Sequence, residues 1–273
     1  MRPPLRKSNF LSFQLPSTSN SSKGSSILLP TMVFIHGGAF YVGSSTDYGP
    51  SYLMEQDIIL VTLNYRLGVF GFFSDGTTAS PGNWGLKDQS LAIDFVSKYI
   101  HHFGGDAKKL LLFGQSAGAS STHFQVMSSY LQTKTKISAA ISISGTAFNT
   151  WSLRPSREMV PLAVRIAVLN GCRPELGSQY MMDCLRGHSP QNITTAASLA
   201  TIMERRLFLP VIEPEGVGPS SAFLTKSPRN LYKMGEVQKV PYIFTMTSRE
   251  LELGLGKKKS LNQSESFVSF KSQ

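Results

Sequence analysis

Leu110-Leu111-Leu112-Phe113-Gly114-Gln115-Ser116-Ala117-Gly118-Ala119-Ser120-Ser121 is the stretch that decides the fold. Four apolar residues run without alternation into Gly-x-Ser-x-Gly, and residues 117–130 then read as helical. An unalternating apolar run suits a strand buried on both faces. A Gly-x-Ser-x-Gly between strand and helix forces a sharp turn that lifts the serine Oγ clear of the backbone. Ser116 is then a candidate nucleophile, and the N–H of Ala117 a candidate donor to a developing oxyanion. In a chain this rich in serine and glycine the pentapeptide alone is weak, so its surroundings must decide.

Working outward, four more apolar runs read as strands: residues 31–35, 58–65, 137–143 and 240–247. All are expected to be buried on both faces. Helical patterns fall between them, at residues 88–103, 117–130 and 157–169. In the first, Leu91, Phe95, Val96, Tyr99, Ile100 and Phe103 recur at three- and four-residue steps, the mark of one apolar face. Strands alternating with helices predict an α/β fold, a mostly parallel sheet with helices on both faces. Residues 210–219 read as an extended connection.

In such sheets chemistry collects at the carboxyl ends of strands. The first strand ends at His36-Gly37-Gly38-Ala39-Phe40, whose small residues let backbone N–H groups of Gly38 and Ala39 converge. The fifth ends at Thr247-Ser248-Arg249-Glu250, placing a carboxylate where it could orient a catalytic imidazole.

With 273 residues, 41% of them hydrophobic, the chain can bury one large core. No apolar stretch reaches the length of a membrane span. Met1 to Lys7 is basic, but no continuous apolar segment follows it, so no secretory signal is visible. The net charge of +10 suggests nucleic acid until it is located: residues 1–35 and 257–273 together supply +7 of it. The long middle carries an ordinary charge, so no nucleic-acid partner is expected, and Lys257-Lys258-Lys259 reads as a solvated tail that could attract anionic surfaces. Cys172 and Cys184, with eleven residues between them, could form a disulfide in an oxidising compartment or remain free thiols. Asn20, Asn192 and Asn262 begin Asn-x-Ser/Thr tripeptides, which mildly favour a secreted glycoprotein.

Several stretches taken in order resemble the type-B carboxylesterases of the cholinesterase-like family. They are Phe34-Ile35-His36-Gly37-Gly38-Ala39-Phe40, Asn64-Tyr65-Arg66-Leu67-Gly68, Gly82-Asn83-Trp84-Gly85-Leu86-Lys87-Asp88-Gln89, Phe103-Gly104-Gly105-Asp106, the Ser116 pentapeptide and Ser144-Gly145-Thr146-Ala147. Ala222-Phe223-Leu224-Thr225 and Val240-Pro241-Tyr242 continue the likeness. Gln115 and the Gly-Gly-Ala loop are most similar to insect esterases of the juvenile-hormone-esterase type. The resemblance implies an α/β-hydrolase fold. It also implies ester hydrolysis through a serine acyl-enzyme, a small hydrophobic ester substrate, no metal and no organic cofactor. Residue by residue it implies Ser116 as nucleophile and Gly38, Ala39 and Ala117 as oxyanion donors. It likewise implies Glu250 as triad acid, Ser144 as a hydroxyl beside that acid, and Trp151 as an acyl-pocket wall. Cys172 and Cys184 would form a family disulfide. Gln115 stands where many relatives carry Glu, which would weaken preference for cationic esters.

The family's order is nucleophile, acid, histidine. The five histidines here, His36, His101, His102, His123 and His188, all precede Glu250. From Leu251 onward the resemblance stops. The expectation is a chain truncated at both ends. Residues 1–30 would be a disordered or irregular lead-in, 31–250 a partial hydrolase domain lacking its first strands and its last strand and helix, and 251–273 a basic, disordered tail. Loss of the histidine from a related triad costs about a million-fold in turnover. A near-inactive fragment follows. The alternatives are a non-catalytic binding or adhesion protein, and a fragment that sequesters esters.

Overall fold

The computed structural model describes residues 11–15, 27–132, 135–218, 220–248 and 250. Strands β1 (Leu11–Gln14), β2 (Leu29–Ile35) and β3 (Ile59–Leu63) come first. Helices α1 (Gly68–Phe72) and α2 (Trp84–Tyr99) follow, then β4 (Gly105–Gln115), α3 (Ala117–Met127), α4 (Ser129–Gln132) and β5 (Ala139–Ile143). The rest is β6 (Arg154–Pro155), α5 (Val160–Leu169), α6 (Ser178–Arg186), α7 (Pro190–Glu204), β7 (Val211–Ile212), α8 (Pro228–Lys233) and β8 (Tyr242–Thr245).

The main sheet has the order β1-β3-β2-β4-β5-β8. Every pairing is parallel except β1 on β3, so the expected mostly parallel α/β sheet is present. β4, which ends at Gln115, lies between β2 and β5, which puts Ser116 at the centre of the sheet's carboxyl edge. Val33 faces Val61 on one side and Leu112 on the other, and all three are fully buried. β3 is buried at all five positions, so both faces of the sheet are covered there.

Three expectations need correction. The face of α2 is misassigned by hydrophobicity: Leu91 is 70% exposed, and Phe95, Tyr99 and Phe103 are exposed as well. The buried arc is Leu86, Gln89, Ser90, Ile93, Val96 and Ile100. Its polar members are satisfied against α3. The Gln89 amide donates to Ser121 Oγ (3.1 Å), Ser90 Oγ to Gln125 Oε1 (2.7 Å), and the Gln125 amide to Leu86 O (2.9 Å). Buried polar groups are tolerated when bonded this way. Second, β8 is not buried on both faces: Ile243 and Phe244 are exposed, because it forms the sheet edge among the described residues. Third, Leu11–Gln14 is a strand rather than irregular lead-in, with Phe13 stacked on Phe103 at 4.4 Å. Residues 1–10 and 16–26 of that lead-in lie outside the described residues, as does the expected tail, 251–273, with Lys257, Lys258 and Lys259.

Two of the motif stretches turn out to be structural clasps. Arg66 makes a forked pair with Asp88 (Nε–Oδ2 2.7 Å, Nη2–Oδ1 2.8 Å), which joins the end of β3 to α2. Asn83 donates to Val211 O (2.7 Å) and Glu213 Oε1 (3.0 Å) and accepts from Val211 N–H (2.9 Å). Those bonds dock the extended connection, whose β7 pairs with β6. The buried Glu213 also meets Lys87 at 3.2 Å.

Candidate active site

Ser116 has φ 56° and ψ −120°, a conformation that L-residues avoid and that costs about 1–3 kcal/mol. The turn holds because its neighbours have no side chain to obstruct it. A Cβ on Gly114 would strike Gly118 O, and one on Gly118 would strike Ile35 O. The Ser116 N–H donates to Ile143 O at the end of β5 (2.9 Å), and its carbonyl begins α3 by accepting from Ser120 N–H (3.0 Å). Among the described residues no hydrogen bond engages Ser116 Oγ.

The loop after β2 lies against this turn. A Cβ on Gly37 would come 3.2 Å from Ser116 Cβ and 2.9 Å from Gln115 Oε1. Gly38 (φ 106°), Ala39 (φ 55°) and Phe40 (φ 60°) follow in left-handed conformations, and the Tyr41 and Val42 N–H groups close the loop on Gly38 O. Among the described residues no hydrogen bond takes up the N–H of Gly38 or Ala39. Ala117 N–H, at the first position of α3, has no intrahelical acceptor. His36 does not face the serine's hydroxyl by any hydrogen bond. It is buried, stacked on Tyr65 at 4.5 Å, bonded through Nδ1 to Gly37 O (2.8 Å), and burial lowers its pKa.

Glu250 is exposed and tightly held. Oε1 accepts from Ser144 Oγ (2.6 Å), Thr247 N–H (2.7 Å) and Thr247 Oγ1 (3.0 Å). The Ser144 hydrogen bond, then the Thr247 N–H, hold its carboxyl below the usual glutamate range. Ser144 itself sits at φ 55°, fixed by its N–H to Thr245 O on β8 (2.8 Å). Ser116 and Glu250 are therefore anchored to adjacent residues, Ile143 and Ser144. Thr247 was missed as a partner of the acid. The signal was present in Thr247-x-x-Glu250, the spacing at which a Glu side chain reaches back to a Thr N–H.

The remaining candidates are placed less centrally. Gln115 is the exposed last residue of β4. Trp151 is half-buried against the main core, on the turn beyond Ser144. His101 and His102 form an exposed pair after α2. His123 is buried on α3, its Nδ1 accepting from Ala147 N–H (3.3 Å) and its Nε2 on Tyr232 Oη (2.7 Å). None of the four histidines outside the Gly37 loop bonds to Ser116 or Glu250 among the described residues. Cys172 and Cys184 are disulfide-bonded, which settles the choice left open by their spacing. Asn192 is exposed near the start of α7, whereas Asn20 and Asn262 lie outside the described residues.

Comparison with known proteins agrees with this geometry. The model of the carboxylesterase family matches residues 11–272. The chain is 38% identical over 241 residues to juvenile hormone esterase of Tribolium castaneum, covering 86% of this chain and 40% of that protein. It is 39% identical over 232 residues to a carboxylic ester hydrolase of Bombus ignitus, covering 83% and 39%. Among solved structures it is similar to Manduca sexta juvenile hormone esterase with OTFP covalently attached. That match has a TM-score of 0.68 and 31% identity, and covers 78% of this chain and 40% of that one. The chain thus spans about 40% of the length of these relatives. The family match spans nearly the whole chain, insect esterases are among the relatives, and the chain belongs to the carboxylesterase family.

Proposed function

We propose that this chain carries the acyl-transfer half of a carboxylic ester hydrolase. The observation that carries the reading is the strained Ser116 turn lying against the Gly37–Ala39 loop. Ser116 Oγ attacks the ester carbonyl. The N–H groups of Gly38, Ala39 and Ala117 receive the oxyanion, a contribution of about 3–4 kcal/mol for one donor in a comparable hole. The alcohol leaves, and water then releases the acid. Glu250, kept ionised by Ser144 and Thr247, has the charge needed to orient an imidazole and stabilise its protonated form. Trp151 forms part of the acyl pocket. Gln115 puts a neutral amide beside the site, so the substrate class is a small, neutral, hydrophobic ester.

No imidazole among the described residues reaches Ser116. The 273 residues on their own are therefore expected to turn over esters very slowly, keeping roughly a thousand-fold advantage over water from the oxyanion hole and binding. Ester hydrolysis by the purified chain and by Ser116→Ala, each with and without free imidazole, tests this. Imidazole should accelerate the wild-type chain above the variant. Equal rates in both would overturn the assignment of Ser116.

We further infer that the chain is a secreted glycoprotein. The Cys172–Cys184 bridge suits an oxidising compartment, and Asn192, in Asn-Ile-Thr, is exposed. Expression in a secreting cell, followed by a glycosidase-dependent mass shift that Asn192→Gln abolishes, tests this. An unshifted mass would contradict it.

A further inference from the structure

Two peptide planes carry the N–H groups of Gly38 and Ala39, and each is held from its carbonyl side. In a trans peptide unit the C=O and the following N–H point in opposite directions, so whatever pins the carbonyl aims the N–H. Gly38 O accepts from the Tyr41 and Val42 N–H groups (both 2.9 Å), which turns Ala39 N–H away from residues 41 and 42. Gly37 O is taken by a side chain instead, with His36 Nδ1 at 2.8 Å. Gly38 N–H therefore points away from the imidazole. Backbone bonds secure the second plane whatever the side chains are. The first lies between two glycines, where rotation meets little steric resistance, and among the described residues the imidazole is its one hydrogen-bond restraint.

The ring is built into place. It is buried, stacks on Tyr65 at 4.5 Å, and Tyr65 Oη donates to His36 O (2.9 Å). Its tautomer follows from its partners. Nε2 is buried and has no hydrogen-bond partner among the described residues. A proton there would orphan a buried donor and set the Nδ1 lone pair against Gly37 O; a proton on Nδ1 avoids both. Gly43 (φ 112°) makes room for the bond, since a Cβ there would come 2.6 Å from His36 Nδ1 and 2.7 Å from Gly37 O. On its other side Gly37 lies against Ser116, where a Cβ would come 3.2 Å from Ser116 Cβ.

We propose that His36 is a positioning residue for the oxyanion hole: its Nδ1–H holds Gly37 O so that Gly38 N–H stays turned toward the oxyanion formed at Ser116. This rests on the reading of Ser116 as nucleophile and adds a residue that touches neither the serine hydroxyl nor the substrate. His36 transfers no proton in this role. Without it the plane between Gly37 and Gly38 can rotate and offer the oxyanion a carbonyl oxygen in place of an N–H, which exchanges an attractive dipole for a repulsive one.

The test follows fluorophosphonate labelling of Ser116 in the full chain against probe concentration, for wild type, His36→Leu and His36→Asn. Leucine fills the space without a donor, whereas the asparagine amide can place an N–H near the position of Nδ1. His36→Leu should lower the maximal labelling rate by roughly a hundredfold, the cost of losing one oxyanion donor, with little change in the probe concentration at half-maximal rate. His36→Asn should recover most of that rate. Circular dichroism and Tm show whether each variant is folded. Wild-type labelling by folded His36→Leu, or equal slowing in folded Leu and Asn variants, overturns the proposal. Ring-nitrogen NMR of the wild-type chain decides it independently of any variant's folding: a protonated Nδ1 and a bare Nε2 are expected, and the opposite tautomer overturns the role. A wild-type chain unlabelled at Ser116 would instead sink the nucleophile reading on which this one rests, whereas labelled wild type with an indifferent His36→Leu sinks the role of His36 alone.

Discussion

Ser144 Oγ donates to Glu250 Oε1 at 2.6 Å, and Ser144 directly follows Ile143, whose carbonyl receives the Ser116 N–H. One strand end therefore holds both the turn that presents the serine and the hydroxyl that fixes the acid. The Ser144 bond is also the largest cause of the lowered Glu250 pKa. Ser144→Ala should move that carboxyl back toward the ordinary glutamate range. Side-chain carbon NMR of Glu250 across an acid titration measures it, and an unmoved midpoint would refute the role of Ser144.

Burial pushes His123 down to about 4 from 6.5. Its Nδ1 accepts a hydrogen bond, so Nε2 carries the proton and donates to Tyr232 Oη. The rings of Phe148, Tyr232, Tyr242 and Phe244 surround it within 5.7 Å. The unfolded chain thus binds a proton at higher pH than the folded one. His123's contribution is fully present above about pH 6.5 and is lost as pH falls through about 4, by about 3 kcal/mol at ~1.4 kcal/mol per pKa unit. Urea unfolding of wild type and His123→Gln between pH 7.5 and 4 isolates this term from Glu213 and Glu250. The stability difference between the two proteins should shrink as pH falls; a constant difference contradicts the prediction.

Gly118 has no room for a methyl group against Ile35 O. Backbone on both sides leaves little to yield, so Gly118→Ala should destabilise the chain by about 3 kcal/mol. Thermal unfolding reads this directly, and an unchanged Tm would mean that the serine turn is looser than described.

The buried polar cluster between α2 and α3 gives a fourth expectation. Gln125→Ala removes the amide that donates to Gln89 Oε1 (3.2 Å) and leaves that buried oxygen without a donor among the described residues, whereas Ser90 Oγ keeps Leu86 O as acceptor (3.1 Å). An unpaired buried group of this kind costs about 1–3 kcal/mol, on top of the cavity left by the side chain. Denaturant unfolding should register the loss, whereas a near-neutral change would indicate that this oxygen finds another partner.

The same cluster explains where sequence reading stops. The serine turn was legible because an apolar run, two glycines and a helical segment each demand the same geometry. The face of α2 was not, because its inner side carries Gln89 and Ser90, and hydrogen bonds across to α3 cannot be read from apolar periodicity. An apolar run like that of β8 looks the same at a sheet edge as at its centre. β1 did carry a signal: Leu11 and Phe13 alternate with Ser12 and Gln14, the period-two pattern of a strand. Surrounding serine and proline hid it. The motifs around Arg66 and Asn83 identified the family but not their own work, which is to clasp α2 and the Val211 segment in place.

The most direct measurement is covalent labelling of the 273-residue chain with a fluorophosphonate, read by intact mass and peptide mapping. The account predicts modification at one residue, Ser116, to one equivalent, slow because no imidazole among the described residues bonds to Ser116, and abolished in Ser116→Ala. Labelling spread over other serines, or persisting undiminished in Ser116→Ala, would contradict the claim that this turn presents a nucleophile to a formed oxyanion hole.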